Sequence, residues 1–324
     1  MKRIVCIGEA LIDFIPDRSG VYMKDVENFR RVCGGGPANV SAAIARLGGQ
    51  ASLIAKVGLD PFGDYIKETL ENVGVDVSWL FRTNKAKTTL AFVTLRADGE
   101  RDFSFYRDPG ADMLLDVNDI AQIQNEFCSG SAILHFSSVD LIDAPVRYAT
   151  RKAIEIAKNR SLIISFDPNI RLPLWNNEDE CRKTVLEFLP YADVVKISDD
   201  EVDFIYGFDA EAGLAEIRKT ADIVFSTLGP KGARVIAEGI DEIRPAYQVK
   251  AVDTTGAGDA FTGAMLYKMV ERGCGLTRLA KPDKDEILSD LDFAQKYAAF
   301  SVTKKGAIDS YGTFAEVKEF FDKS

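Results

Sequence analysis

Short apolar runs rich in valine and isoleucine alternate along this chain with longer amphipathic stretches. Runs near residues 3–8, 51–57, 131–136, 161–166, 192–197 and 222–227 have the length and composition of buried strands. Stretches 37–47, 61–73, 145–159, 178–189, 199–206 and 259–272 read as helices between them. In the last of these, Phe261, Met265 and Met269, with Leu266 and Val270 beside them, recur every three or four positions, as one face of a buried helix does. The alternation predicts an α/β fold, a mainly parallel sheet covered by helices on both faces. Residues of about 13–33 and 87–107 break the rhythm, with strand-like alternation and no helix between. Thr88 to Leu95, a turn at Asp98-Gly99, and Arg101 to Arg107 read as a hairpin. An antiparallel patch added to a parallel body suits a lid or an interface.

The 324 residues leave room for one large domain with an appendage, or for two domains. Hydrophobic content of 46% and charged content of 28% are ordinary for a globular protein. A net charge of −10 argues against nucleic acid or an anionic membrane as partner. No apolar run reaches the ~20 residues of a membrane span. Glu9 and Asp13 break the apolar N-terminus and no small-residue cleavage site follows, so it reads as a first strand rather than a signal peptide. Cys6, Cys33, Cys128, Cys181 and Cys274 are odd in number and scattered, which fits reduced thiols in a cytoplasmic protein and speaks against structural zinc.

The most informative segment is Asp253-Thr254-Thr255-Gly256-Ala257-Gly258-Asp259, which runs straight into the last helix. At a helix N-terminus four N–H groups lack internal partners and the dipole is positive, so the amides of Gly256, Ala257 and Gly258 suit an anion, phosphate above all. The absence of side chains at Gly256 and Gly258 lets a ligand approach the main chain. Asp259 at the mouth of that site is either a helix-capping acid or a general base for a hydroxyl attacking the phosphate. Other chemistries are excluded. The chain has no Walker A spacing, and Gly8 and Gly34-Gly35-Gly36 do not form a dinucleotide fingerprint. His135, the sole histidine, sits in the apolar run Ile133-Leu134-His135-Phe136 and is expected to be a packed residue, which disfavours histidine metal sites and a Ser-His-Asp triad. What remains is positioning with carboxylates, amides and cations, the chemistry of phosphoryl transfer.

Two segments resemble the signatures of the ribokinase-type (phosphofructokinase-B-like) carbohydrate kinase family. One is Gly35-Gly36-Pro37-Ala38-Asn39-Val40-Ser41 with Gly48 and Gly58, and the other is the segment ending in Asp259. The likeness runs from residue 3 to about residue 320 and is nearest to the fructokinases, through Leu90 to Arg101, Phe105 to Met113, Asp167 to Trp175 and Thr227 to Gly232. It implies a ribokinase-like three-layer α/β/α fold in a single domain over 1–324, with a β-strand lid formed discontinuously by about 13–33 and 87–107. The implied reaction is ATP-dependent phosphorylation of fructose.

Carried over residue by residue, the resemblance makes Asp259 the base and Gly256, Ala257 and Gly258 the anion hole. Asp13, Gly35, Gly36 and Asn39 would recognise sugar hydroxyls, with Asn169, Arg171 and Lys196 bordering the same cleft and Arg96 and Arg107 reaching in from the lid. Lys196, Glu201, Thr227, Gly229 and Gly232 would serve the nucleotide. Asp253 and Thr255, with Ser301, Lys304, Gly306 and Ser310, match positions that bind a monovalent cation, expected to be K⁺. Mg²⁺ is expected with ATP, held largely by phosphates and water. Where relatives carry Asn-x-x-Glu, this chain has Ser198-Asp199-Asp200-Glu201, so Glu201 alone is retained as a Mg²⁺–water partner. Where relatives carry Phe-Ala-Asn near the adenine, it has Phe293-Ala294-Gln295.

Three alternatives stand beside fructokinase. A 2-keto-3-deoxygluconate kinase would share Tyr106-Arg107 and Asn169-x-Arg171, but the strand Leu90-Ala91-Phe92 lacks the tyrosine that meets the acid sugar in such enzymes. Another sugar or nucleoside kinase is the second, and a non-catalytic interaction module the third. The intact Asp259 and its glycine loop argue against the module. Lid strands of relatives often pair between subunits, so a homodimer through the lid is expected.

Overall fold

The computed structural model describes residues 1–18, 20, 22–95, 101–207 and 209–323. The N-terminal part forms β1 (Arg3–Ile7), β2 (Leu11–Pro16), β3 (Phe29–Gly34), α1 (Gly36–Arg46), β4 (Ala51–Gly58), α2 (Pro61–Asn72) and β5 (Leu80–Thr83). The middle forms β6 (Leu90–Leu95), β7 (Arg101–Tyr106), α3 (Val117–Ile123), β8 (Ser131–Ser137), α4 (Pro145–Asn159), β9 (Ile163–Asp167), α5 (Glu178–Phe188) and β10 (Val194–Ser198). Then come α6 (Asp199–Tyr206), α7 (Ala210–Arg218), β11 (Ile223–Thr227), β12 (Ala233–Ala237) and β13 (Ile240–Arg244). The last helices are α8 (Ala257–Glu271), α9 (Leu276–Leu279), α10 (Lys284–Ser301) and α11 (Phe314–Asp322).

Nine strands make one sheet in the order β13-β12-β11-β10-β9-β8-β1-β4-β5, parallel from β5 to β11, with β12 antiparallel to both its neighbours. The six strands from β11 to β4 in that order are buried on both faces, which is why they read as continuous apolar runs. Along β1, Ile4 and Cys6 enter the core under α1 and α8, while Val5 and Ile7 enter the core under α4 and α5. The second sheet has the order β3-β2-β6-β7 and draws its strands from the two regions where the helical rhythm fails. The anticipated hairpin is there, with Leu90 opposite Tyr106 and Leu95 opposite Arg101; its expected turn at Asp98-Gly99 lies outside the described residues.

The apolar stretch after Asp259 is α8, which is buried nearly all round. Its closeness to α1 depends on Gly263, where a Cβ would lie 2.7 Å from the Ala43 methyl. The two helices therefore bring their first turns together, and that contact positions the site. Elements the periodicity did not single out include β5, β12, β13, α3, α7, α10 and α11. In β12 buried and partly exposed residues alternate, and β13 buries only Ile240, so neither forms a long apolar run.

Candidate active site

The carboxyl ends of β1, β8, β9 and β10 open on a cleft of about 360 Å³, closed from one side by β2 and Phe105 of β7. That is where an open α/β sheet holds its ligands, and the volume falls within the common range for small-molecule sites, about 300–1,000 Å³. Asp13, Gly35, Gly36, Asn39, Asn169, Arg171, Lys196, Glu201, Thr255, Gly256, Ala257, Gly258 and Asp259 all line it. Residues separated by more than 240 positions in sequence thus meet in one place.

The glycine loop enters α8 through Gly256, which is left-handed at φ 72°. A side chain there is doubly disfavoured, because a Cβ would lie 2.5 Å from the Tyr311 hydroxyl and 2.6 Å from the Ala307 methyl. Tyr311 in turn donates to the Gly256 carbonyl at 2.9 Å. The Ala257 amide is partly used, donating to the Thr254 carbonyl at 3.3 Å. The amides of Gly258 and Asp259 fall in the first turn, where a helix offers no carbonyl to receive them. Gly258 faces Lys196, whose Nζ would be 3.2 Å from an added Cβ.

Asp259 accepts a hydrogen bond from Asn39 Nδ2 at 2.8 Å. Burial pushes its carboxyl above the ordinary range, and Asn39, Lys196 and Arg171 pull the other way. Lys196 is buried and paired with Asp167, Nζ to Oδ2, at 3.1 Å. Burial lifts Asp167 to about 6 against the pull of Lys196, with Glu201 and Asp259 adding to the rise. Thr262 and the Asn169 amide also donate to Asp167, at 3.4 and 3.2 Å. Asn169 takes a positive φ of 43°, and its Nδ2 sits against Gly36, 2.7 Å from where a Cβ would be. His135 is packed, with Nδ1 3.0 Å from the Ser165 hydroxyl; burial, then Lys196, push its pKa down to about 3.

Of the expected residues, Arg107 has another place, Arg96 is not described, and Glu201 lines the cleft with its oxygens engaged. Arg107 does not reach into the cleft: its guanidinium is buried and bonded to Asp112 at 2.7 Å, the Val139 carbonyl at 3.1 Å and Asp140 at 2.9 Å. An arginine so fully paired has little left for a sugar. Arg96 lies outside the described residues. Glu201 lines the cleft, but both its oxygens are engaged, one by the Ile170 amide at 2.8 Å and the other by the Ser198 amide at 2.9 Å. Ser198 and Glu201 form a capping box on α6, so serine retains the capping capacity of asparagine.

Thr227, Gly229 and Gly232 stand one strand farther along, Thr227 paired in register with Ser198. The Gly232 turn has φ 118°, and a Cβ there would be 2.0 Å from the Arg244 carbonyl. Sequence reading overlooked Glu9, Asp140, Asp167 and Tyr311. Two of them were within reach: Glu9 is the acid that ends the first apolar run, and Asp167 ends the fourth.

At the expected cation loop, Asp253 accepts from Thr255 N and Oγ1 at 2.9 and 2.6 Å and from the Gly306 amide at 2.8 Å. The Ser301 and Ser310 hydroxyls donate to carbonyls one turn back, at 2.8 and 2.7 Å, which leaves their oxygen lone pairs available. This donor set is all hard oxygen, which fits an alkali cation and not zinc or copper. Among the described residues no three His, Cys, Asp or Glu side chains cluster to hold a metal. No helix among them is long and apolar enough to cross a membrane.

A doubly wound sheet with a capping second sheet, and an anion-binding helix terminus bearing a carboxylate, define a phosphotransferase-like site. The profile of the pfkB family carbohydrate kinases matches residues 1–313, and the chain belongs to that family. It is 40% identical to fructokinase-1 of Zea mays over 326 aligned residues, covering 100% of this chain and 98% of the relative. Among solved structures it is similar to a fructokinase from Xylella fastidiosa with bound ATP, with TM-score 0.90, 34% identity, and 99% and 98% of the two chains covered. A fructokinase double mutant from Vibrio cholerae O395, bound to fructose, ADP and potassium, superposes with TM-score 0.86 at 34% identity, over 99% and 98% of the chains.

Proposed function

We propose that this protein is a fructokinase, transferring the γ-phosphoryl group of ATP to the 6-hydroxyl of fructose. The observation that carries the reading is Asp259 at the start of α8, bonded to Asn39 and flanked by the Gly258 amide and Lys196. The sugar hydroxyl gives its proton to Asp259 as the phosphoryl group arrives. The first-turn amides and Lys196 stabilise the charge on the transferring group. Asp13, Gly35, Gly36, Asn39, Asn169 and Arg171 form the hydroxyl-recognition set. The second sheet acts as the lid, and the chain as one domain with a discontinuous lid.

ATP lies along the ends of β10 and β11, toward Thr227, Gly229 and Gly232. Mg²⁺ accompanies it, held mainly by phosphates and water. The loop of Asp253, Thr255, Ser301, Lys304, Gly306 and Ser310 would hold K⁺, which supplies charge that orders the glycine loop. The buried thiols of Cys6, Cys33, Cys128 and Cys181 support a cytoplasmic location. The exposed Tyr22 and Tyr106 beside the second sheet support a homodimer formed through it.

A coupled ADP-release assay across fructose, 2-keto-3-deoxygluconate, ribose, glucose and adenosine tests the reading. Fructose is expected to have the highest kcat/KM. Preference for another of these would overturn the fructose assignment, and turnover of none would overturn the sugar kinase reading.

A further inference from the structure

We propose that Glu9 and Asp140 share a single proton, and that this acid pair is a positioning clamp for the Gly35-Gly36 turn of the cleft. The inference rests on the reading of that cleft as the sugar site.

Glu9 is 2% exposed and Asp140 1%. Glu9 Oε1 accepts the Gly36 amide at 2.6 Å, and Asp140 Oδ1 accepts Arg107 Nη2 at 2.9 Å. Each acid then has one buried oxygen left, Glu9 Oε2 and Asp140 Oδ2, and neither meets a donor. A Cβ at Gly8 would lie 2.4 Å from Asp140 Oδ2, so that oxygen sits against the backbone next to Glu9, and the two carboxyls shift each other's titration as hydrogen-bonded neighbours do. Two bare carboxylate oxygens facing each other in a protein interior are strongly disfavoured, whereas one proton between them turns a repulsion into a hydrogen bond.

The local charge supports the same conclusion. Glu9, Asp140 and Asp112 surround Arg107, the single cation of this buried cluster among the described residues. Fully ionised, three acids against one base leave two uncompensated negative charges, and a shared proton leaves one. Burial and Asp140 push Glu9 up, against Arg107 and the Gly36 amide. Burial also pushes Asp140 up, with Asp112 adding to it, while Arg107 and hydrogen bonds from the Glu9 side chain and amide oppose the rise.

The clamp sits where it can act on substrate. Gly35 has φ 106°, and a Cβ there would be 2.4 Å from the Glu9 carbonyl, so the turn lies directly on Glu9. Gly36 opens α1, whose Asn39 reaches Asp259. Arg107 and Asp112 continue the network to Thr89 ahead of β6, which ties the turn to the root of the second sheet. Loss of the proton puts a second negative charge behind the turn and loosens its register.

The tests are Glu9→Gln, Glu9→Ala and Asp140→Asn in the full-length protein. A glutamine keeps the acceptor for Gly36 and supplies a permanent donor to Asp140 Oδ2; Asp140→Asn supplies one to Glu9 Oε2. Glu9→Ala is expected to raise the sugar KM about tenfold, the worth of one hydrogen bond, with a smaller loss in kcat. Glu9→Gln and Asp140→Asn should recover most of that affinity. The wild-type sugar KM should rise at alkaline pH, and the Glu9→Gln profile should stay flat.

A second readout needs no substrate. A carboxyl held above its unfolded pKa of about 4.3 keeps a proton that the unfolded chain has released, so folding takes one up and stability falls as pH rises. Urea unfolding from pH 5 to 9 should show a steeper decline for the wild type than for Glu9→Gln. Parallel stability profiles, or Glu9→Gln as impaired as Glu9→Ala, would overturn the shared proton. A wrong sugar assignment would leave the unfolding result intact.

Discussion

Asn39 Nδ2 lies 2.8 Å from Asp259 Oδ2, so the first turn of α1 is hydrogen-bonded to the first turn of α8. The carboxyl it holds is raised by burial and lowered by this bond. The bond favours the ionised form, which is the form a base requires. Asn39→Ala should therefore raise the Asp259 pKa further and move the acid limb of the kcat profile to higher pH. An unmoved limb would mean that Asp259 is not the group whose ionisation limits turnover. Asp259→Asn should bind both substrates while losing about 10²–10⁴ in kcat, the range for removal of a general base. Calorimetric binding with kcat near wild type would remove the assignment.

The two glycines of the loop have different reasons to be glycine, and alanine separates them. At Gly256 the backbone is left-handed, and a methyl would collide with Tyr311 and Ala307. The left-handed backbone alone costs roughly 1–2 kcal/mol, so Gly256→Ala should lower Tm as well as activity. Gly258 is helical, and a methyl there points toward Lys196 in the cleft. Helix propensity favours alanine over glycine by up to about 1 kcal/mol. Gly258→Ala should thus keep or raise Tm while lowering kcat/KM for ATP. A Tm loss as large as that of Gly256→Ala would show that Gly258 serves packing.

These contrasts bear on what the chain discloses before it folds. Asp259 and its glycines were readable because the groups that give them meaning lie within seven residues, in one loop and the helix it opens. The buried strands were readable because a sheet covered on both faces selects the same apolar residues at every position. Long-range pairing left no such trace. Arg107, at the end of a polar hairpin strand, has the surroundings of a solvent-facing arginine, and the acid that buries it, Asp140, lies 33 positions on. Glu201 was visible as an acid beside a cleft, yet one oxygen is taken by the Ser198 amide and the other by the Ile170 amide, 31 positions back. Ser198 stands where relatives carry asparagine, and the capping box shows that its hydroxyl serves as the helix cap.

Arg107 carries the last prediction, because its two readings lead to opposite results. As a sugar ligand reaching from the lid, it would mainly affect KM when replaced, with stability nearly unchanged. As built, it bridges Asp112 and Asp140 with almost no exposure and also holds the Val139 carbonyl. Removing one partner from a buried ion cluster leaves uncompensated charge, which costs about 3–5 kcal/mol. Arg107→Met should lower the unfolding free energy by that order. Arg107→Lys keeps the charge but cannot span both acids and the carbonyl, since an ammonium lacks the planar fork, so it should recover only part of the loss. Urea unfolding of both variants decides the matter: stability within about 0.5 kcal/mol of wild type, the usual margin for surface substitutions, would return Arg107 to the cleft.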